Sequence, residues 1–195
     1  METEAIRREK RYSFWRGFIL LLLLLSRTCF ADILWSEDKQ RLNVAINLLP
    51  ACLGADLALA DKLSPSGKLR ILVLHDNQQK VALAVSTGLL ALKTIADFPL
   101  DVEILSTSDR QKPDLSPIAA LFVASPGIKS EILNNWVEYK QTTVFSPFSG
   151  DVERGAVAGI YVTDRILPYI NLTQAEKAGV VYKPFFLRIA KQYDE

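Results

Sequence analysis

Histidine occurs once in this chain, cysteine twice and methionine once. Scarcity of these types removes most routes to catalysis. A metal centre needs several His, Cys or carboxylate ligands at recognisable spacing, and no such spacing can be read here. No GxGxxG or Walker pattern follows the first predicted strand, so phosphate cradling has no sequence support. Ser125-Pro126-Gly127 lacks the flanking glycines of a nucleophile elbow. The paired acids, strand-end Asp and later Lys of a phospho-acceptor receiver domain are missing as well. The chain therefore reads as a protein without enzymatic activity, with no catalytic residues, no metal and no cofactor. An excess of one charge is also lacking: 23 basic residues stand against 22 acidic. That balance leaves no electrostatic footprint for nucleic acid.

The one long apolar run is short. Phe18 to Leu25 gives eight consecutive apolar residues, whereas a bilayer-spanning helix needs about 20. Arg7, Arg8, Lys10, Arg11 and Arg16 precede it, and Cys29-Phe30-Ala31 places small residues at the −3 and −1 positions. Basic region, apolar core and small-residue site are the three parts of a secretory signal. Residues 1–31 are thus predicted to be a signal peptide cleaved before Asp32, which puts the protein in the periplasm. Ser26-Arg27-Thr28 before Cys29 places a charged Arg where a lipoprotein signal carries a small or apolar residue. Arg7-Arg8 lacks the surroundings of a twin-arginine signal.

Removing residues 1–31 takes away 6 of the 23 basic and 3 of the 22 acidic residues, leaving 17 against 19 over residues 32–195. That length suits one domain. Only Cys52 remains, so an intramolecular disulfide is excluded. Its setting, Leu48-Leu49-Pro50-Ala51-Cys52-Leu53, is apolar, and a free Cys packs there as a small hydrophobe.

Helix and strand periods alternate along the domain. Leu42, Ala45, Ile46, Leu49, Leu53 and Leu57 keep the 3.6-residue period from Asp38 to about Ala60, with Pro50 expected to bend or divide that helix. Leu69 to His75 is a continuous apolar run with the composition of a buried strand. Gln78 to Ala96 reads as amphipathic helix, Val102 to Leu105 as a short strand and Ser106 to Ser116 as a loop. Ala119 to Ala124 reads as strand, Ile128 to Tyr139 as helix and Thr142 to Phe145 as strand. This alternation predicts parallel strands joined by right-handed crossovers, in a three-layer sandwich with helices on both faces of the sheet. Gly155 to Val162 and Ile166 to Leu172 are separated by Thr163-Asp164-Arg165, a hairpin-length connection. An antiparallel hairpin is therefore expected at one edge of the sheet. Thr173-Gln-Ala-Glu176 has the form of a capping box, and Pro184 suits the first turn of a last helix through Gln192. Asn171-Leu172-Thr173 matches a glycosylation sequon and is read as strand end and helix cap.

Two places hold candidate functional residues. His75, Asp76 and Asn77 end the first strand, where ligands sit in open α/β sheets; they are weak candidates for ligand binding. Glu153 and Arg154 stand just ahead of the hairpin, and Arg165 and Tyr169 lie on its second strand. Arg and Tyr are enriched at binding hot spots, and unpaired edge strands recruit other chains. Glu153, Arg154, Arg165 and Tyr169 are therefore the candidate partner-binding residues. The structural reading of Glu153-Arg154-Gly155 is a local ion pair beside a glycine that opens a strand.

The same stretch carries a resemblance. Glu153, Arg154, Gly155 and Gly159, then Arg165, Asn171-Leu172, Gly179 and Phe186-Leu187-Arg188-Ile189-Ala190, resemble the C-terminal signature of the YfiR-type periplasmic regulators. Ile46-Asn47-Leu48 and the run Leu69–Leu74 fit the same outline. The family's added cysteines are absent here, and Gly54-Ala-Asp-Leu stands where the family often carries an aromatic-Trp-Pro ending. The resemblance implies a small α/β regulator that binds and restrains the periplasmic sensory domain of a membrane-anchored signalling protein such as a diguanylate cyclase, within cyclic-di-GMP signalling. A homodimer through the same edge is the competing use. The alternative function is a periplasmic small-molecule-binding protein resembling one lobe of a solute-binding protein.

Overall fold

The computed structural model describes residues 28–109 and 116–194. The expected leader lies largely outside them, and its predicted cleavage point before Asp32 falls within the first helix. The chain divides into two units between Gln40 and Arg41, and the fold below is that of the unit from Arg41 onward.

Helix α1 (Thr28–Gly54) runs through Pro50 as one helix, so the proline neither divides nor ends it. It stops six residues before the expected end because Asp56 caps a turn of its own: the Asp56 carboxylate accepts from Ala58 N–H at 3.0 Å. A single 3₁₀ turn (Leu59–Lys62) follows. Strand β1 (Leu69–His75) is buried along its whole length, as its apolar run requires.

Helix α2 (Gln79–Ala91) ends five residues earlier than its periodicity predicts. The chain then makes a hairpin from β2 (Thr94–Ile95) to β3 (Phe98–Ser106), joined by Ala96 and Asp97 at φ 49° and 68°. Two successive positive φ angles are what a two-residue hairpin turn of right-handed twist demands. Ala-Asp is an unusual choice for it and carries no turn signal, and β3 extends four residues ahead of the strand that the sequence predicts over Val102 to Leu105.

Strand β4 (Ala120–Val123), helix α3 (Ser130–Lys140) and strand β5 (Thr143–Ser146) follow the expected order. The closing elements are β6 (Ala158–Val162), β7 (Ile166–Asn171), α4 (Leu172–Lys177), α5 (Pro184–Ile189) and β8 (Lys191–Tyr193).

The strands form one mixed sheet in the order β2-β3-β1-β4-β5-β6-β7-β8. From β3 to β6 all neighbours are parallel. The antiparallel pair β6–β7 forms as expected, but it is not the edge. Lys191–Tyr193 pairs in parallel with Tyr169–Asn171 and lies beyond it. Three residues carry no readable alternation, and Lys191 and Gln192 form strand where the sequence predicts the end of a helix. The cap of α4 also differs: Asn171, not Thr173, accepts from the Gln174 N–H at 3.0 Å. The fully buried Asn171 side chain also donates to Val152 O at 2.9 Å.

The core lies along β1, β4 and β5, whose side chains are buried almost throughout. Phe122 and Phe145 stack there at 5.7 Å. Each large apolar side chain buried in this way contributes about 1.5–3 kcal/mol. Cys52 is fully buried, and loss of hydration pushes its thiol up, which suppresses the reactive thiolate.

One buried polar knot joins the end of α1 to the C-terminal segment. Asp56 accepts from Val181 N–H at 3.0 Å and lies 3.2 Å from the Lys62 ammonium. Lys62 in turn donates to the Thr143 hydroxyl at 3.3 Å and Ala178 O at 3.4 Å. Burial lowers the Lys62 pKa, and the Asp56 carboxylate opposes that shift. Removing one partner of a buried pair leaves an uncompensated charge, at a cost of about 3–5 kcal/mol. Asp56→Ala is therefore expected to lose stability of that order in urea unfolding, with Asp56→Asn losing less. A change under about 1 kcal/mol for the alanine variant would show that the knot is not what fastens the two segments.

Candidate functional site

The turn that bears the sharpest sequence motif connects β5 to β6. Its base is Asp151, fully buried. One carboxylate oxygen accepts from the Ser146 hydroxyl at 2.5 Å, and the other pairs with the Arg154 guanidinium. Burial raises the Asp151 pKa, while the Ser146 hydrogen bond and the Arg154 charge work against that. The Arg154 carbonyl accepts from the Asn134 amide at 3.4 Å. Gly155 sits at φ 129°, and a Cβ on it would meet Asn134 Oδ1 at 2.6 Å. A side chain there is excluded by both conformation and space. Asp151, Arg154 and Gly155 thus shape the turn, and Arg154 spends its charge on Asp151.

Glu153 points elsewhere. Its carboxylate accepts from the Tyr169 hydroxyl at 3.1 Å. Register then gathers further residues on that face. Tyr169 pairs with Gly159 and Lys191, Tyr161 with Leu167, and Asn171 with Tyr193. Paired residues share a face, as do residues two apart on one strand. Tyr161, Tyr169 and Tyr193 therefore lie on one side of the sheet, all half-buried. Ring centroids are 5.3 Å apart for Tyr161–Tyr169 and 6.4 Å for Tyr169–Tyr193, within the range of favourable tilted and edge contacts. The exposed Lys191 ammonium stands 5.9 Å above the Tyr161 ring, a cation–π contact. Gly159 is obligatory beneath this surface, because a Cβ there would lie 2.5 Å from Ser146 O.

Of the four candidate partner-binding residues, the structure brings Glu153 and Tyr169 together. Arg154 is held by Asp151. Arg165 is exposed at the hairpin turn, where its carbonyl accepts from Thr163 N–H at 3.0 Å, at the far end of β7 from Tyr169. Tyr161, Lys191 and Tyr193 were not among the candidates. The alternation of β6 would have found Tyr161; nothing in Lys191-Gln-Tyr193 signalled a strand.

His75, Asp76 and Asn77 occupy the expected place, at the carboxyl end of β1. The parallel strands change direction of growth here, with β3 on one side of β1 and β4 on the other, which is the position of ligand crevices in open sheets. The Asp76 N–H donates to the Ser125 hydroxyl at 3.1 Å, and its carboxylate accepts from the Thr107 hydroxyl at 2.9 Å. Asn77 adopts φ 52°. His75 is buried, and its Nδ1 has no hydrogen-bond partner among the described residues. Among the described residues no cluster of three or more His, Cys, Asp or Glu is placed to hold a metal ion.

No family model matches the chain, and no curated protein matches it. A solved structure, the ABC domain in complex with L-Trp from Streptococcus pneumonia, is similar at 13% identity and a TM-score of 0.46, over 72% of this chain. The chain spans 60% of the length of that structure. A likeness this distant carries no argument about fold or function.

The Tyr169 phenol gives this surface a measurable signature. Loss of hydration, then the Glu153 carboxylate, push its pKa up to about 12. A raised folded-state value stabilises the fold below the ordinary tyrosine pKa and loses that contribution as pH rises through about 12. Ultraviolet difference titration of the protein against Tyr169→Phe should place the Tyr169 midpoint near 12. Glu153→Gln should bring that midpoint down. A midpoint at the ordinary tyrosine value of about 10 would show that the pair is not formed in solution.

Proposed function

We propose that this chain is an exported regulatory protein that binds and restrains the periplasmic sensory domain of a membrane-anchored signalling protein such as a diguanylate cyclase. The tyrosine face of β6, β7 and β8 is its reading surface. The observation that carries the proposal is the gathering of Tyr161, Tyr169 and Tyr193 beside Glu153 on a half-exposed sheet face. Tyrosine offers large contact area, low conformational cost and a polar tip, which is why it is enriched at binding hot spots. The resemblance of Glu153–Gly159 and Phe186–Ala190 to YfiR-type regulators supports the same class of partner, and the leader-like residues 1–31 support the same compartment. In this reading the mixed sheet is the middle of a three-layer sandwich, with helices on both faces. No helix among the described residues is long and apolar enough to cross a membrane.

Small-molecule binding is the alternative, favoured by the polar groups of Asp76, Asn77 and Ser125 at the crevice where strand order reverses. The two readings separate by substitution. Tyr169→Ala combined with Tyr193→Ala should weaken capture of the membrane partner at least about 30-fold, equivalent to about 2 kcal/mol, in a variant whose circular dichroism is unchanged. Asp76→Ala should leave capture intact. Retained capture by the double variant, or its loss in Asp76→Ala, would overturn the proposed surface.

A further inference from the structure

The opposite side of the sheet offers a second interaction surface. Strand β3 has β1 on its inner side, but on its outer side β2 covers only Phe98 and Pro99. Backbone direction along β3 is fixed by two bonds: Leu100 N–H donates outward to Lys93 O at 3.3 Å, and Thr107 N–H donates inward to His75 O at 2.9 Å. Backbone groups alternate in a strand, so the amides and carbonyls of Val102 and Ile104 point outward. Among the described residues no strand pairs with Val102 or Ile104 on that side, because β2 reaches only Phe98 and Pro99. The outward stretch is closed at one end by Lys93. At the other, Ser106 N–H donates to the Asp109 carboxylate at 2.8 Å. What remains is a short open ladder with both ends defined.

Its side chains set the partner's chemistry. Leu100, Val102 and Ile104 share one face and are partly exposed, Ile104 at 37%. Asp101 and Glu103 share the other. Glu103 is fixed in place by Arg70, which reaches one of its oxygens at 2.9 Å. A second copy of this chain is a poor occupant: two-fold pairing about Val102 sets Asp101 opposite Glu103, pairing Val102 with Ile104 sets Glu103 opposite itself, and pairing about Ile104 calls on the Ser106 N–H that Asp109 already holds. Like charges directly opposed are destabilising, and such charges are how edges resist self-pairing. We infer that the β3 edge accepts an extended segment of a partner protein in which basic residues alternate with apolar ones. The segment adds a short strand along Asp101–Leu105, its cations facing Asp101 and Glu103 and its apolar side chains facing Val102 and Ile104. Strand addition of this kind draws affinity from the backbone and specificity from alternate side chains.

The test uses the full chain and two synthetic peptides, one alternating lysine with valine and one alternating glutamate with valine. The lysine peptide should slow hydrogen exchange at the Val102 and Ile104 amides at least tenfold. The amides of Asp101, Glu103 and Leu105, which face β1, should be unchanged. Neutralising the acids with Asp101→Asn and Glu103→Gln, which preserves shape, should weaken that binding by at least tenfold. No slowing at Val102 and Ile104, equal slowing by the glutamate peptide, or equal affinity in the neutralised variant would each overturn the inference. The edge lies at the other end of the sheet from the tyrosine face, so either result leaves that reading independent.

Discussion

A buried carboxylate holds the two ends of this fold together. Asp56 sits where α1 has just ended, yet it takes its second backbone hydrogen bond from Val181, and its cation Lys62 reaches both β5 and Ala178. Around it the backbones of Leu57 and Val181 join, and Lys183 binds back to Gly54 and Ala55. The segment after α4 is also anchored by the buried side chains of Ala178, Val180, Tyr182 and Phe186. The knot and this packing together lead the chain to β8, which supplies the third tyrosine of the candidate surface. An ion pair so buried returns little net stability over apolar packing. Its larger effect is to gather the Ala58 and Val181 N–H groups and the Lys62 ammonium on one carboxylate.

The same economy shapes the turn between β5 and β6. Of its charged residues, Asp151 and Arg154 are consumed in building the loop, and Gly155 and Gly159 are required by close approach of Asn134 and Ser146. Glu153 alone is left to face outward and meets Tyr169. A motif that reads as one functional unit divides into a scaffold and a single presented side chain.

Much of this was legible in the sequence where a pattern extends over several residues. The buried run of β1, the alternation of β4, α3 and β5, and the hairpin of β6 and β7 all follow from periodicity. What escaped was short or non-local. The β2–β3 turn uses Ala96 and Asp97 at positive φ in place of the glycine that would announce it. β8 is three residues long, too short for any alternation. The early end of α1 is set at Asp56, whose carboxylate turns the chain at Ala58 and is held in place by Val181, 125 residues on. Two residues of the candidate surface, Glu153 and Tyr169, are legible from the motif ahead of the hairpin and from its second strand; Tyr193 and Lys191 reach it only through β8.

Site-specific photocrosslinking in living cells tests the central claim most directly. A photoreactive phenylalanine analogue is placed at Tyr161, on the proposed surface, and separately at Leu83, an exposed residue of α2. The account predicts adducts from position 161 to the exported domain of an inner-membrane signalling protein, and none to that protein from position 83. Adducts to it from both positions, or from position 83 alone, would contradict the assignment of the tyrosine face.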